Sequence, residues 1–277
     1  MNQLKVFYLC SELTPFSESY NLASFSTRLT SILHSKDNYD IRLMQPKYGF
    51  ISERKYILRE VIRLKDMEIE FGNGKRLMNI KSAFIPETRV QVYFLQDDDY
   101  FKPLPRLLYK AKNGRVLSDN DIRFALFAKV ALDTLKTLYW KPDIIVCNDW
   151  QMSFIPQLLK ENYSEDEFYK DMKTVFLIHS INNYRNFSKK SYDSIQLDCN
   201  ITKDKKVVDN YLSAIKYSDK TIIIDNDDKN IYNDIKADKD LAKVYRKSNH
   251  SEILLPNDAS TSDWLGLIDK IDKALHE

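Results

Sequence analysis

Residues 141–156, KPDIIVCNDWQMSFIP, decide the fold. Ile144, Ile145, Val146 and Cys147 form a short apolar run after Pro142, and the polar Asn148-Asp149-Trp150 follows directly. An apolar run of this length, ending in polar residues, predicts a fully covered parallel strand that opens into a loop. In open α/β sheets ligands gather outside the carboxyl ends of strands, because the loops there present groups without disturbing the packed sheet. Asp149 therefore has two readings: a site residue at the strand end, or a cap for a helix beginning near Ser153.

The same pattern returns at Thr174 to Ile178, a second buried strand ended by His179. If the two strands are parallel neighbours, Asp149 and His179 share one rim of the sheet. His179 reads either as a hydrogen-bonded loop residue or as a group with chemistry to perform. The polar loop behind it, INNYRNFSKKS, carries Arg185, Lys189 and Lys190, which suit phosphate contact or simple solvation.

Outward from this centre the periodicities alternate. Val6 to Cys10 predict a first strand, Leu22, Phe25, Leu29, Ile32 and Leu33 a helix with one buried stripe, and Tyr39 to Met44 a second strand ended by Pro46. That is a βαβ unit, whose crossover is right-handed. Residues 58–95 alternate apolar and polar around the turn Gly72-Asn73-Gly74, which predicts a hairpin insertion added to the sheet edge or packed beside it. Asp97, Asp98 and Asp99 close that segment; adjacent carboxylates diverge, so an exposed loop is a simpler account than a metal site. Residues 102–120 form a long excursion or lid, after which Asn120 or Asp121 caps a helix carrying Ile122, Leu126, Val130, Leu135 and Leu138. Residues 206–219 predict a helix with Val207, Tyr211, Leu212 and Ile215 on its apolar side, and KTIIID the next strand. A very polar helical region over 225–240, the apolar EILLP and a terminal helix with Trp264, Leu265, Ile268, Ile271 and Leu275 follow. That last apolar stripe has to pack against the domain, since leaving it bare would create a sticky patch.

Composition narrows the functional classes. Forty-two basic against forty acidic residues among 277 give a formal charge of +2, no field to attract nucleic acid or a membrane surface. Cys10, Cys147 and Cys199 have no metal-ligand spacing and fit a reduced compartment. MNQLKVFYLC lacks a signal-peptide pattern and no apolar run nears the ~18 residues of a membrane span, so the expectation is a cytoplasmic chain without membrane insertion. Only five glycines occur, at 49, 72, 74, 114 and 266, and none cluster at a strand end as a phosphate cradle needs. The residues call for no metal and no cofactor.

KVFYLCSELTPF, DIRLMQPKYG, RFALFAKVAL, KPDIIVCNDWQMSFIP and TVFLIHS, taken in order, resemble successive blocks of the amino-terminal Rossmann-like domain of bacterial glycogen and starch synthases, a GT-B glycosyltransferase family. NYLSAIKYSDKTIII resembles the helix and strand that follow, and the likeness runs from residue 5 to about 225. It implies a single α/β domain over 1–277, with a mostly parallel sheet of seven or more strands, helices on both faces, and the carboxyl-terminal GT-B domain absent. A complete synthase binds a nucleotide-sugar between two such domains and transfers glucose to the nonreducing end of an α-1,4-glucan with retention.

The departures from that family fall at its site. Its phosphate-contacting Lys-Thr-Gly-Gly-Leu matches Glu18, Ser19, Tyr20, Asn21 and Leu22, a degenerate nucleotide-sugar loop in which an acid replaces the base and two side chains replace the glycines. Its Asp-Trp-His matches Asp149, Trp150 and Gln151, its His-Asn matches His179 and Ser180, and its later Gly-Ile is compressed to Ala214-Ile215. Its Asn-Gly-Ile-Asp linker has no clear counterpart near Leu255-Pro256-Asn257-Asp258. In the family the histidine contacts sugar near its C6 hydroxyl and the aspartate lies toward the acceptor. The resemblance thus makes Asp149 and His179 vestigial catalytic or sugar-site candidates. It implies a catalytically degenerate protein that binds α-glucan or a protein partner. Its alternatives are a transferase subunit, using ADP-glucose or UDP-glucose with a separately encoded second domain, and a homo-oligomeric scaffold.

Overall fold

The first strand, β1 (Leu4–Leu9), is apolar on both faces from Val6 onward and takes a position at the middle of the sheet. The computed structural model describes residues 3–199 and 206–276. A loop leads to α1 (Asn21–His34), which buries Leu22, Phe25, Leu29 and Leu33, and then to β2 (Tyr39–Pro46), parallel to β1. Past α2 (Glu53–Tyr56) come β3 (Arg59–Glu60), β4 (Met67–Phe71) and β5 (Gly74–Phe84). In β4 buried Met67, Ile69 and Phe71 alternate with exposed Glu68 and Glu70, the period-two signature of a strand with one covered face. Gly72, at φ +63°, turns the chain into β5, a conformation that a residue without Cβ adopts freely. β5 is antiparallel to β3, to β4 and to β6 (Gln91–Gln96), and β6 is parallel to β2. Just beyond β6, Asp97 and Asp99 converge on Arg76, at 2.8 and 2.6 Å.

The buried helix α3 (Asn120–Leu138) corrects the expected cap. Its N-cap is Asp119; Asn120 instead donates from Nδ2 to the Tyr109 carbonyl at 3.0 Å, and Asp121 accepts the Ser188 amide and hydroxyl at 2.8 and 2.6 Å. β7 (Ile144–Asn148), α4 (Ile155–Asn162) and β8 (Lys173–Ile178) follow, then β9 (Asn186–Ser188) and α5 (Lys189–Ser194). The helix expected over 206–219 is shorter. Val207–Asp209 form β10, antiparallel to β9, and α6 (Asn210–Tyr217) begins where Asp209 accepts the Tyr211 amide at 3.1 Å. β11 (Lys220–Asp225), α7 (Ile231–Ala237), α8 (Lys239–Tyr245), β12 (His250–Leu254) and α9 (Thr261–His276) complete the chain.

Among the described residues the main sheet has ten strands, ordered β12-β11-β8-β7-β1-β2-β6-β5-β3, with β4 attached to β5. Every pairing from β12 to β6 is parallel. The β1-α1-β2 crossover moves one way along the sheet and β7-α4-β8 the other. Both being right-handed, their helices lie on opposite faces. α9 packs beside α1: Trp264 lies 5.6 Å from Phe25, and Asp272 accepts from Lys36 at 2.5 Å and from the Tyr39 hydroxyl. No helix among the described residues is long and apolar enough to cross a membrane.

Candidate functional site

The order in which strands are added reverses between the parallel neighbours β1 and β7, the switch point where an open parallel sheet leaves a crevice at its carboxyl edge. A cleft of about 990 Å³ lies there. Glu12, beyond the end of β1, and Asp149, just after β7, form its floor, both buried.

Glu12 organises the loop before α1. Its carboxylate accepts the Ser19 amide at 2.5 Å, the Ser19 hydroxyl at 3.0 Å, the Tyr20 amide at 3.2 Å and the Tyr109 hydroxyl at 2.8 Å. α1 has no side-chain cap and no acid in its first turn, so Glu12 supplies the negative charge that a helix amino terminus attracts. Burial raises the Glu12 pKa above the usual carboxylate range, against the lowering pull of the Ser19, Tyr109 and Tyr20 hydrogen bonds.

Asp149 precedes the short 3-10 turn Trp150–Met152, but its side chain makes no cap bond there and reaches instead to the residues just past β8. Oδ1 accepts the His179 amide at 3.0 Å and the Tyr211 hydroxyl at 2.8 Å, and Oδ2 accepts the Ser180 hydroxyl at 2.9 Å. The residue itself has φ 64° and ψ −170°, a conformation normally confined to glycine. Its pKa is raised, by burial first, against hydrogen bonds from His179, Tyr211 and Ser180. The His179 ring stands edge-on to Phe25 at 4.5 Å with Nε2 2.8 Å from the Asn148 Oδ1. Burial, and then the Lys229 charge, push its pKa down to about 3, so the imidazole is neutral at ordinary pH. Lys229 completes the rim by donating to the His179 carbonyl at 2.8 Å.

The expected candidates separate. Asp149, His179, Ser19, Tyr20 and Asn21 all line the cleft, whereas Glu18 is exposed and is not among the lining residues. Arg185 is held by Asp209 and Asp238 at 2.7 and 3.2 Å, and Lys189 and Lys190 are exposed outside the cleft. Sequence reasoning missed Glu12 and the aromatic groups Tyr109, Tyr184 and Trp264. Glu12 carried a usable signal, a polar residue behind an apolar strand, the same one that drew attention to Asp149. The lining includes carboxylates of Glu12, Asp149, Asp225 and Asp258 against the cations Arg28 and Lys229, so with those acids ionised the cleft is acidic.

Residues 5–234 match the family described as the starch synthase catalytic domain. A glycogen synthase of Pelodictyon phaeoclathratiforme is 39% identical over 177 residues, 64% of this chain and 36% of that protein. A glycogen synthase of Chlorobium phaeobacteroides is 38% identical with the same coverage of both chains, so this chain spans about a third of the curated relatives it matches. The catalytic domain of starch synthase IV from Arabidopsis thaliana, bound to ADP and acarbose, has the same fold, with a TM-score of 0.72 at 20% identity over 91% of this chain and 52% of that one.

Proposed function

This chain belongs to the starch synthase catalytic domain family, and from that premise we propose that its cleft recognises α-glucan without turning over a nucleotide-sugar. The observation that carries the reading is Glu12. Its carboxylate takes the Ser19 and Tyr20 amides at the head of α1, the loop that the resemblance assigns to the donor phosphates. A diphosphate entering there meets a buried acid already bonded to those donors, and more acids than bases along the walls. A neutral sugar meets the opposite situation, because its hydroxyls donate to carboxylates. The half-exposed Tyr20 and part-exposed Tyr184 line the cleft and add aromatic surface for its C–H groups.

Calorimetry with glycogen, maltoheptaose, ADP and ADP-glucose tests it. The glucans are expected to bind and the nucleotides to give no measurable heat, and Asp149→Ala and His179→Ala to weaken the glucans. Binding of ADP-glucose without binding of any glucan overturns the reading. That result favours a transferase subunit completed by a second domain on another chain.

A further inference from the structure

We infer that Asn148, which does not line the cleft, is a positioning residue: it fixes the tautomer of His179, so that the imidazole meets a ligand as a hydrogen-bond acceptor and reads a group that donates. The tautomer stands on this chain alone. The ligand half rests on the glucan reading and narrows it.

The relay starts at Ser26 on α1. Ser26 is fully buried, and its Oγ donates to the Leu22 carbonyl at 2.7 Å. A hydroxyl has one proton, so with it committed there Ser26 is left to accept, from the Tyr8 hydroxyl at 3.3 Å and from Asn148 Nδ2 at 2.9 Å. Asn148, the last residue of β7 and also fully buried, therefore turns its Nδ2 toward Ser26 and its Oδ1 toward His179. An amide oxygen only accepts. The His179 Nε2, 2.8 Å from that oxygen, is thus the nitrogen that carries the proton. Burial and the Lys229 charge keep the ring neutral at ordinary pH, so its other nitrogen, Nδ1, holds a lone pair.

Nδ1 is left for the ligand. It bonds to nothing among the described residues, and His179 lines the cleft, whereas Ser26 and Asn148 do not. Turning the ring to offer its other nitrogen is opposed twice over. It would strip the buried Asn148 oxygen of its donor, and it would disturb the edge-on contact with Phe25 at 4.5 Å. A hydroxyl has a proton to give such a nitrogen; an ionised phosphate or carboxylate has none and sets lone pair against lone pair. The histidine therefore selects in the same direction as the acidic walls of the cleft.

Ring-nitrogen NMR of the isotope-labelled full chain tests the inference, with the His179 signals assigned by their loss in His179→Gln and melting curves to show that each variant is folded. The expected spectrum of wild type at neutral pH has a protonated Nε2 and an unprotonated Nδ1, and maltoheptaose shifts Nδ1 more than Nε2. Asn148→Leu removes the acceptor and Ser26→Ala frees the Asn148 amide to turn over. Both are expected to give mixed or reversed tautomers and to weaken maltoheptaose about fivefold or more, whereas a residue that merely packed would change stability and leave the tautomer alone. A protonated Nδ1 in wild type, or a tautomer unchanged in both variants, overturns the role of Asn148. Maltoheptaose that binds without shifting Nδ1 overturns the acceptor role. Failure of maltoheptaose to bind sinks the glucan reading and the ligand half together, while the tautomer is still decided by the spectrum of the free chain.

Discussion

The Asp149 carboxylate accepts the backbone amide of His179 at 3.0 Å, tying the residue after one strand to the residue after its parallel neighbour. The Ser180 and Tyr211 hydroxyls hold the same carboxylate, and together these bonds keep Asp149 at a positive φ. A residue with a Cβ in that region stores roughly 1–3 kcal/mol of strain.

Substitutions at Asp149 therefore rank in a definite order. Asp149→Asn preserves most of the partners and is expected to cost least. Asp149→Ala leaves the His179 amide without its acceptor and the Tyr211 hydroxyl with only the Ser180 carbonyl, at 3.1 Å, while keeping the strained backbone, a loss of about 1–3 kcal/mol. Asp149→Gly loses the same bonds but relaxes the backbone, so it should be about 1 kcal/mol more stable than the alanine variant. Urea unfolding gives the three values; a glycine variant no better than alanine would show that the conformation stores no strain.

Acid stability should carry the mark of His179. Its pKa in the folded chain is about 3 against an ordinary 6.5, so as pH falls the unfolded chain takes up the proton first. The contribution is present above pH 6.5 and is lost as pH falls toward about 3, on the order of 5 kcal/mol over the whole window. Glu12 and Asp149 act with opposite sign, because burial raises their pKa values and the folded state gains relative stability as they protonate. His179→Gln, neutral at every pH, should flatten the fall in unfolding free energy between pH 6.5 and pH 4. A slope identical to wild type would mean that His179 is not held neutral.

Glucose transfer is the sharpest functional test. The isolated chain, incubated with glycogen and radiolabelled ADP-glucose beside a complete synthase as control, should incorporate no label. With Glu12 already bonded to the loop amides, the donor lacks the electrostatic hold that transfer requires. Label incorporated by wild type and abolished by Asp149→Ala or His179→Ala would establish an independent catalytic site.

Trp264 secures α9 and one wall of the cleft. Its indole lies 5.6 Å from Phe25, which meets His179, and carries the Arg28 guanidinium 4.5 Å above its ring. Trp264→Ala should cost about 3 kcal/mol from lost burial and the lost cation–π contact, and should weaken glucan binding through Phe25. Trp264→Phe should recover most of the stability. A loss below about 1 kcal/mol for alanine, read from the shift in urea midpoint, would mean that α9 is only loosely docked.

Much of the architecture was legible because it rests on local pattern. Ile144 to Cys147, Val175 to Ile178 and Ile222 to Ile224 are apolar on both faces, and such runs have nowhere to go but the centre of a covered sheet. The helical stripes of α1 and α9 declared their buried sides in the same way, except that Leu265, expected on the α9 stripe, faces solvent and Leu267 takes the buried place. Val207 misled because the residues after it are helical; only the pairing of Val207 with Ser188 and of Val208 with Phe187 makes this segment a strand. Asn120 and Asp121 had the composition of caps, but tertiary partners, the Tyr109 carbonyl and the Ser188 amide, claimed them first.

By itself the sequence determined the buried central strands and the amphipathic helices α1, α3 and α9, and that Asp149 and His179 stand at strand ends, because side-chain periodicity is a property of neighbouring residues. Only the tertiary structure decided which carboxylate matters in the loop before α1. Glu18, the acid the family motif pointed to, is exposed; Glu12 is buried and reaches Ser19, Tyr20 and Tyr109. That choice depends on the order of strands in the sheet. β1 and β7 lie side by side with their helices on opposite faces, so the chain opens between them, and whatever side chain ends β1 enters the crevice with residues from far along the chain.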